Sequence, residues 1–236
     1  WDWYGGTPPH ATTPLQGIRD ALGTGVTVTH APDDEAGAAV RAARASDVAI
    51  VVVGNHPTCG PNMGKEWTKG GDTEPCADPG DGREGRDRET LTLSQEDLVR
   101  KVHAANPRTV MILVSSFPYT VNWSQEHVPA IVHMAHSSQD EGWALAQVLF
   151  GDYNPGGHTV VTWPASMDDL PPMMDYDIRH GRTYMYAKGK PLYPFGHGLS
   201  YTTFDFARLR TDTPALLRGG QLEVSVDVTN TGKVAG

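Results

Sequence analysis

The residues of this sequence best suited to chemistry lie in one long polar segment, residues 54–89. Near its end, the run Glu84-Gly85-Arg86-Asp87-Arg88 places a carboxylic acid among charges of both signs. A carboxylic acid at the mouth of a sugar site can protonate a glycosidic oxygen when a second carboxylate lies on the other side of the sugar ring. Asp87 and Arg88 could pair with each other or bind hydroxyl groups. The alternative is a solvated charge run whose surface ion pairs each contribute at most about 1 kcal/mol.

Four further side chains are candidates for the same chemistry. Asp81 and Glu66 are other carboxylates of the segment that could serve as the acid. Trp67 could offer an apolar face to a sugar ring, although anchoring of the segment is the interpretation that we favour. Tyr184 lies in an aromatic-rich stretch that we interpret mainly as packing between two domains, yet it could border a sugar pocket.

The two cysteines, Cys59 and Cys76, both lie in this segment. In an exported protein they could close a disulfide that pins a segment with little core of its own; two free thiols are the alternative. A zinc site at His56, Cys59 and Cys76 would lack a fourth ligand at suitable spacing. The sequence has no Gly-x-Gly-x-x-Gly, Walker or Gly-x-Ser-x-Gly motif. We therefore expect neither a metal nor an organic cofactor.

The polar segment follows residues 47–53, a continuous Val/Ile strand of the kind that is buried on both faces of a parallel sheet. The pattern predicts further strands at 110–114, 130–134, 26–29 and 159–161, and helices at 13–23, 34–45, 94–105 (with a capping box at its start) and 140–150. This alternation predicts an α/β fold in which helices cover a mostly parallel sheet. Ligands of such sheets bind beyond the carboxyl ends of the strands, where the polar segment begins.

The pattern changes from Phe204 onward. Apolar residues now alternate with polar ones, at Leu222, Val224, Val226 and Val228. Such alternation predicts the start of an antiparallel β-sandwich, so we expect two domains, residues 1–203 and 204–236. Because a single strand with one buried face is not stable alone, we expect the chain to be a segment of a longer polypeptide.

The composition limits the partners. The 236-residue chain has a formal net charge of −9, which disfavours binding to nucleic acid. No apolar run approaches the roughly 18 residues that span a bilayer, so we expect no membrane partner. A disulfide would favour a secreted or periplasmic location. The sequence leaves the compartment and homo-oligomerisation open.

Several runs together resemble glycoside hydrolase family 3. They are Thr13-Pro14-Leu15-x-Gly17-Ile18, Glu84-Gly85-x-Asp87-Arg88, Asn154-Pro155-Gly156-Gly157-His158, Pro191–Phe204, and Val226-x-Val228-x-Asn230-Thr231-Gly232. The last run is similar to the fibronectin-III-like extension of that family. The resemblance implies that residues 1–203 are the family's C-terminal α/β sandwich domain without its first strand, and that residues 204–236 begin the extension.

The resemblance also implies an activity. Family members are retaining exo-glycosidases, such as β-glucosidases and β-xylosidases, that act on oligosaccharides or on aryl and alkyl glycosides. An N-terminal (β/α)8 barrel supplies the aspartate nucleophile, and the sandwich domain supplies the acid/base carboxylate. That carboxylate varies in position: it maps to Glu84, to Asp81 or Gly82, or to Asn55, which cannot donate a proton as a carboxylic acid does. We expect Glu84 to be the acid/base. The alternative function is a non-catalytic carbohydrate-binding or scaffold module.

Overall fold

The computed structural model describes residues 8–56, 59, 76, 78, 80–83, 85–136 and 139–236. Glu66, Trp67 and Glu84 lie outside the described residues. The helices are α1 (Pro14–Leu22), α2 (Ala38–Arg44), α3 (Glu96–Ala105), α4 (Asn122–His127), α5 (Glu141–Phe150) and α6 (Thr183–Tyr186). The strands are β1 (Ala49–Gly54), β2 (Thr109–Val114), β3 (Ala130–Met134), β4 (Phe204–Thr211) and β5 (Val224–Asn230). No helix within the described ranges is long and apolar enough to cross a membrane.

The first three strands form a parallel sheet in the order β1-β2-β3. Met111 lies at its centre, opposite Val51 on β1 and Ile131 on β3. Because the strands are parallel, all three end at the same edge of the sheet. Strands and helices therefore alternate along the chain as the sequence predicts, and the α/β fold is confirmed.

The main core lies on the face of the sheet that α3 covers. Met111, Leu113 and Val99 are fully buried there. The prediction that the first strand is buried on both faces is wrong: Val51 and Val53 are buried, but Val52 is 46% exposed. Val52 lies on the same face of the sheet as its β2 neighbour Ile112, which is fully buried, so the covering of that face does not extend to β1, the edge strand of the described sheet.

Two predicted strands are not formed within the described chain. Val26–Thr29 has no strand conformation or ladder partner there, although Val26 is β-branched and apolar. Thr159–Val161 makes only isolated backbone bonds: the Thr159 N–H donates to the His197 carbonyl, and the Gly196 N–H donates to the Thr159 carbonyl. The segment opposite carries Pro191 and Pro194, which lack the backbone N–H groups that a continuous ladder would need.

The helix starts show how local sequence sets the fold. Thr13 caps α1, since its hydroxyl accepts a hydrogen bond from the Gln16 N–H at 3.2 Å. The predicted capping box of α3 is not formed; Gln95 is the N-cap and makes no side-chain cap bond. Its Oε1 instead accepts from the N–H of Gly54 at 2.6 Å. The start of α3 thereby holds the last residue of β1.

Strands β4 and β5 form a separate antiparallel pair. Thr202 joins this pair to the preceding chain, since its hydroxyl donates to Asn230 Oδ1 at 2.7 Å. Asn154 Oδ1, which follows α5, accepts from the Ser200 hydroxyl and the Tyr201 N–H. A small polar network therefore connects the end of the α/β unit with the β4–β5 pair.

Candidate active site at the carboxyl edge of the sheet

β1 ends at Gly54, where close packing against β2 leaves no room for a side chain. Gly54 has φ +147°, and a Cβ placed there would overlap the backbone of Val114 on β2. The next residue, Asn55, donates its N–H to the Val114 carbonyl at 3.1 Å. The polar segment thus begins in direct contact with the end of the neighbouring strand.

His136 ties the ends of all three strands together. Its Nε2 lies 2.6 Å from the carbonyl oxygen of Asn55, and its Nδ1 lies 2.8 Å from the Ser116 hydroxyl. Because a carbonyl only accepts, Nε2 carries the hydrogen.

His133 points elsewhere, to Ser115, and burial of its ring lowers the pKa of His133. The described residues contain no cluster of His, Cys, Asp or Glu able to hold a metal ion.

Asp81 is anchored beneath this edge by a buried tyrosine. Tyr119, which is fully buried, donates its hydroxyl to Asp81 Oδ2. The other carboxylate oxygen accepts from the N–H of Gly82 at 2.9 Å, and the Asp81 N–H donates to the Asp78 carbonyl. Burial and the bond to Asp81 both raise the pKa of Tyr119, so its hydroxyl stays protonated and remains a donor.

Arg88 is anchored by the same loop that carries Tyr119. Its guanidinium carbon lies 3.7 Å from the centre of the Phe117 ring and 5.0 Å from that of Tyr119. Its Nη1 donates to the Pro118 carbonyl at 2.8 Å. Burial lowers the pKa of Arg88, and the neighbouring Tyr119 and Asp81 oppose that shift. Such cation–π packing with a hydrogen bond holds the guanidinium in one place.

The pairing of Asp87 with Arg88 that the sequence allowed is not formed. Asp87 is exposed and makes no hydrogen bond or ion pair to another described residue, because Arg88 turns inward to the aromatic rings. Between Asp81 and Arg88, the residues Arg83 and Arg86 exchange backbone hydrogen bonds at 3.0 and 2.9 Å. The stretch that contains Glu84 is therefore bracketed by backbone pairing as well as by Asp81 and Arg88.

The two cysteines form a disulfide, Cys59–Cys76. It closes the polar segment beside Asn55, whose two amide atoms are buried and have no hydrogen-bond partner among the described residues. A cavity of about 10 Å³ lies between them, lined by Asn55, His56, Cys59, Cys76, Asp78, Asp81 and Gly82. Of the alternatives that the sequence left open for the cysteines, the structure has the bonded one.

Tyr184 is not part of this assembly. It stacks on Phe195 with a 4.5 Å separation of ring centres. Together they line a mostly apolar cavity of about 380 Å³ that also includes Val160 and Leu170. None of the residues lining that cavity lines the small cavity at the edge of the sheet. Of the predicted site residues that are described, Asp81 and Arg88 are brought together, and Asp87 follows them in the chain.

Sequence reasoning missed Tyr119, Phe117 and His136. A usable signal was present, because Phe117 and Tyr119 follow β2 directly and His136 follows β3. Residues after parallel strands meet at one edge of the sheet, so these positions belonged beside the segment that follows β1.

The comparisons with known proteins agree with this architecture. The model of the glycosyl hydrolase family 3 C-terminal domain matches residues 1–201. The chain is 31% identical to a β-xylosidase of Formosa agariphila, covering 99% of this chain and 31% of that protein. It is 32% identical to a periplasmic β-glucosidase of Salmonella typhimurium, covering 84% of this chain and 25% of that protein.

Solved structures show the same fold. A β-D-glucoside glucohydrolase from Trichoderma reesei matches with a TM-score of 0.75 and 28% identity, over 97% of this chain and 34% of that one. A β-glucosidase from Kluyveromyces marxianus in complex with glucose matches with a TM-score of 0.62 and 30% identity, over 87% of this chain and 24% of that one. The chain spans about a third or less of the length of these relatives.

Proposed function

Because the chain belongs to the family of glycosyl hydrolase family 3 C-terminal domains, we propose that it forms one half of the active site of a retaining exo-β-glycosidase. Its substrates are terminal β-linked glucose or xylose units on oligosaccharides or on aryl and alkyl aglycones. The names of the relatives, β-xylosidase and β-glucosidase, support this choice. In the longer protein, an N-terminal (β/α)8 barrel carries the aspartate nucleophile.

The same proposal assigns the domains and the compartment. Residues 1–203 form the α/β sandwich domain, and residues 204–236 begin a fibronectin-III-like domain, in line with the antiparallel pairing of β4 and β5. The Cys59–Cys76 disulfide supports a secreted or periplasmic location, since disulfides persist in oxidising compartments.

Glu84 is the acid/base in this proposal. The observation that carries it is the anchoring of the chain on both sides of Glu84, by Asp81 on Tyr119 and by Arg88 on Phe117. Catalytic groups are held in productive geometry by neighbours whose own side chains are locked by packing and hydrogen bonds, as those of Asp81 and Arg88 are. Asp81 is the weaker candidate because both of its oxygens already accept hydrogen bonds from the protein. Glu66 is the remaining alternative.

Each step of the reaction then has a named group. Protonated Glu84 donates its proton to the glycosidic oxygen while the barrel aspartate attacks the anomeric carbon and the aglycone leaves. The resulting Glu84 carboxylate takes a proton from a water molecule as that water attacks the anomeric carbon of the glycosyl-enzyme. The bond to the barrel aspartate breaks, and the sugar is released with its original anomeric configuration. The reaction needs no cofactor.

The remaining predicted site residues take different parts. Asp87 is exposed beside the anchored stretch and can accept a hydrogen bond from a sugar hydroxyl. Arg88 holds the shape of the segment, since its guanidinium contacts protein groups. Trp67 is proposed as a wall of the sugar site. Tyr184 borders the apolar cavity and is the least supported of the substrate contacts.

The test compares leaving groups in the full-length enzyme. We expect Glu84→Gln to lower kcat/KM for oligosaccharides by about 10²–10⁴-fold, the usual contribution of general acid catalysis, and to leave kcat/KM for dinitrophenyl glycosides nearly unchanged. Azide should restore turnover of the dinitrophenyl glycosides by attacking the glycosyl-enzyme. Asp81→Asn and Glu66→Gln are the matched controls. The proposal is wrong if either control shows this split in place of Glu84→Gln, or if no variant does.

A further inference from the structure

We propose that Tyr119 is a positioning residue for the acid/base carboxylate, because this one side chain holds the polar segment on both sides of Glu84. The inference rests on the proposed function and adds a residue to it. Tyr119 lies on the loop after β2, and its ring and its hydroxyl hold different parts of the segment.

The hydroxyl holds the chain before Glu84. It donates to Asp81, which stands three positions earlier in the sequence. Asp81 is fixed further by Gly82 and Asp78, so the carboxylate bound to Tyr119 belongs to a defined backbone turn. A hydrogen bond to a carboxylate is among the stronger ones in proteins.

The ring holds the chain after Glu84. Arg88, four positions later, packs its guanidinium against Tyr119 and Phe117. The side-chain stem of Arg88 also packs against Gly82, where an added Cβ would overlap the Arg88 Cγ. Arg88 therefore contacts Gly82, the residue next to Asp81, as well as Tyr119.

This arrangement separates the function of the hydroxyl from that of the ring. Tyr119→Phe removes the bond to Asp81 and leaves the ring that supports Arg88. The freed Asp81 can then shift, and we expect that shift to displace the proposed acid/base, three positions later in the sequence, from the leaving oxygen. Misplacement of a catalytic group by about 1 Å can cost up to 10²-fold in rate. The loss should appear only in steps that need the acid or the base.

The experiment uses the full-length enzyme. For Tyr119→Phe, we expect kcat/KM on oligosaccharides to fall about 5- to 50-fold and kcat/KM on dinitrophenyl glycosides to stay within about twofold. Turnover of dinitrophenyl glycosides should slow, because deglycosylation needs the base, and azide should restore it. The matched control is Tyr193→Phe, which removes a partly buried tyrosine hydroxyl that donates to Gln125; it should leave both substrates unaffected.

A second variant covers a failure of Tyr119→Phe to fold. Gly82→Ala pushes Arg88 from its place and should give the same split between substrates. The inference is overturned if the folded variants lose both substrates equally or lose neither. If the Tyr119→Phe and Gly82→Ala variants do not show the split but Glu84→Gln does, only the inference about Tyr119 is wrong. If Glu84→Gln itself shows no split, the proposed function is wrong.

Discussion

At the scale of single residues, two asparagines show how hydrogen bonding decides what a buried side-chain amide contributes to the stability of the fold. Asn106 is buried, and its Nδ2 donates to the carbonyls of Ala43 and Ser46 at 3.0 and 2.9 Å. Its Oδ1 accepts from the Arg108 N–H at 3.0 Å. The amide atoms of Asn55 are buried and make no hydrogen bond to any residue that the structure describes. Asn106 thus joins the end of α2 to the turn before β2, and Asn55 adds no such bond.

We therefore expect Asn106→Ala to lower the free energy of unfolding by about 2–4 kcal/mol, because it removes three hydrogen bonds. Asn55→Ala should change that free energy by less than about 1 kcal/mol, since no side-chain bond to a described residue is lost. Denaturant unfolding followed by tryptophan fluorescence measures both. An equal loss in the two variants would show that the amide of Asn55 is bonded in the folded protein.

At the scale of elements, α1 and α5 meet through two glycines. A Cβ at Gly17 would overlap the Gly142 carbonyl, and a Cβ at Gly142 would overlap the carbonyl of Thr13. The Gly142 N–H donates to Thr12 at 2.9 Å, which fixes the start of α5 against the chain before α1. The contact is a backbone-to-backbone approach that leaves no room for a side chain.

Alanine at either glycine should destabilise the protein even though alanine is the better helix former by about 1 kcal/mol. We expect Gly17→Ala and Gly142→Ala each to cost about 1–3 kcal/mol, the usual effect of overpacking, and to lower the Tm by several degrees. Gly157→Ala, at a position with nothing within 4 Å of the added Cβ, is the control and should leave the Tm unchanged. Calorimetry that ranks Gly157→Ala with the other two would contradict this account of the α1–α5 contact.

The elements also show what the sequence could predict. Strands β2 and β3 and helix α5 were predicted nearly to their ends, because local periodicity and a buried surface agree there. Val26–Thr29 has strand-like residues but no neighbour to pair with in the described chain. At the site, the charged run pointed to Arg88, whereas Tyr119 was missed because 38 residues separate it from Asp81. Pairing partners and anchors are set by the tertiary fold, which local pattern does not contain.

At the scale of the whole molecule, the α/β unit and the β4–β5 pair differ in how they are stabilised. The parallel sheet has a buried core around Met111. The apolar side chains of the β4–β5 pair are exposed, with Phe206 at 69%, Leu209 at 72% and Val224 at 57%. A two-stranded ribbon is at best marginally stable in water, so its stability depends on contacts such as Thr202 to Asn230.

Hydrogen exchange should separate the two parts. In this 236-residue chain, we expect amides of β2 to exchange only through global unfolding, and amides of β4 and β5 to exchange through local opening with a free energy near zero. β2 is the internal reference in the same mass-spectrometry experiment. In a longer protein that supplies the further strands of the proposed fibronectin-III-like domain, protection of β4 and β5 should rise, because their apolar side chains become buried. Equal protection of β2 and β5 in the 236-residue chain would mean that the ribbon is already held by the α/β unit.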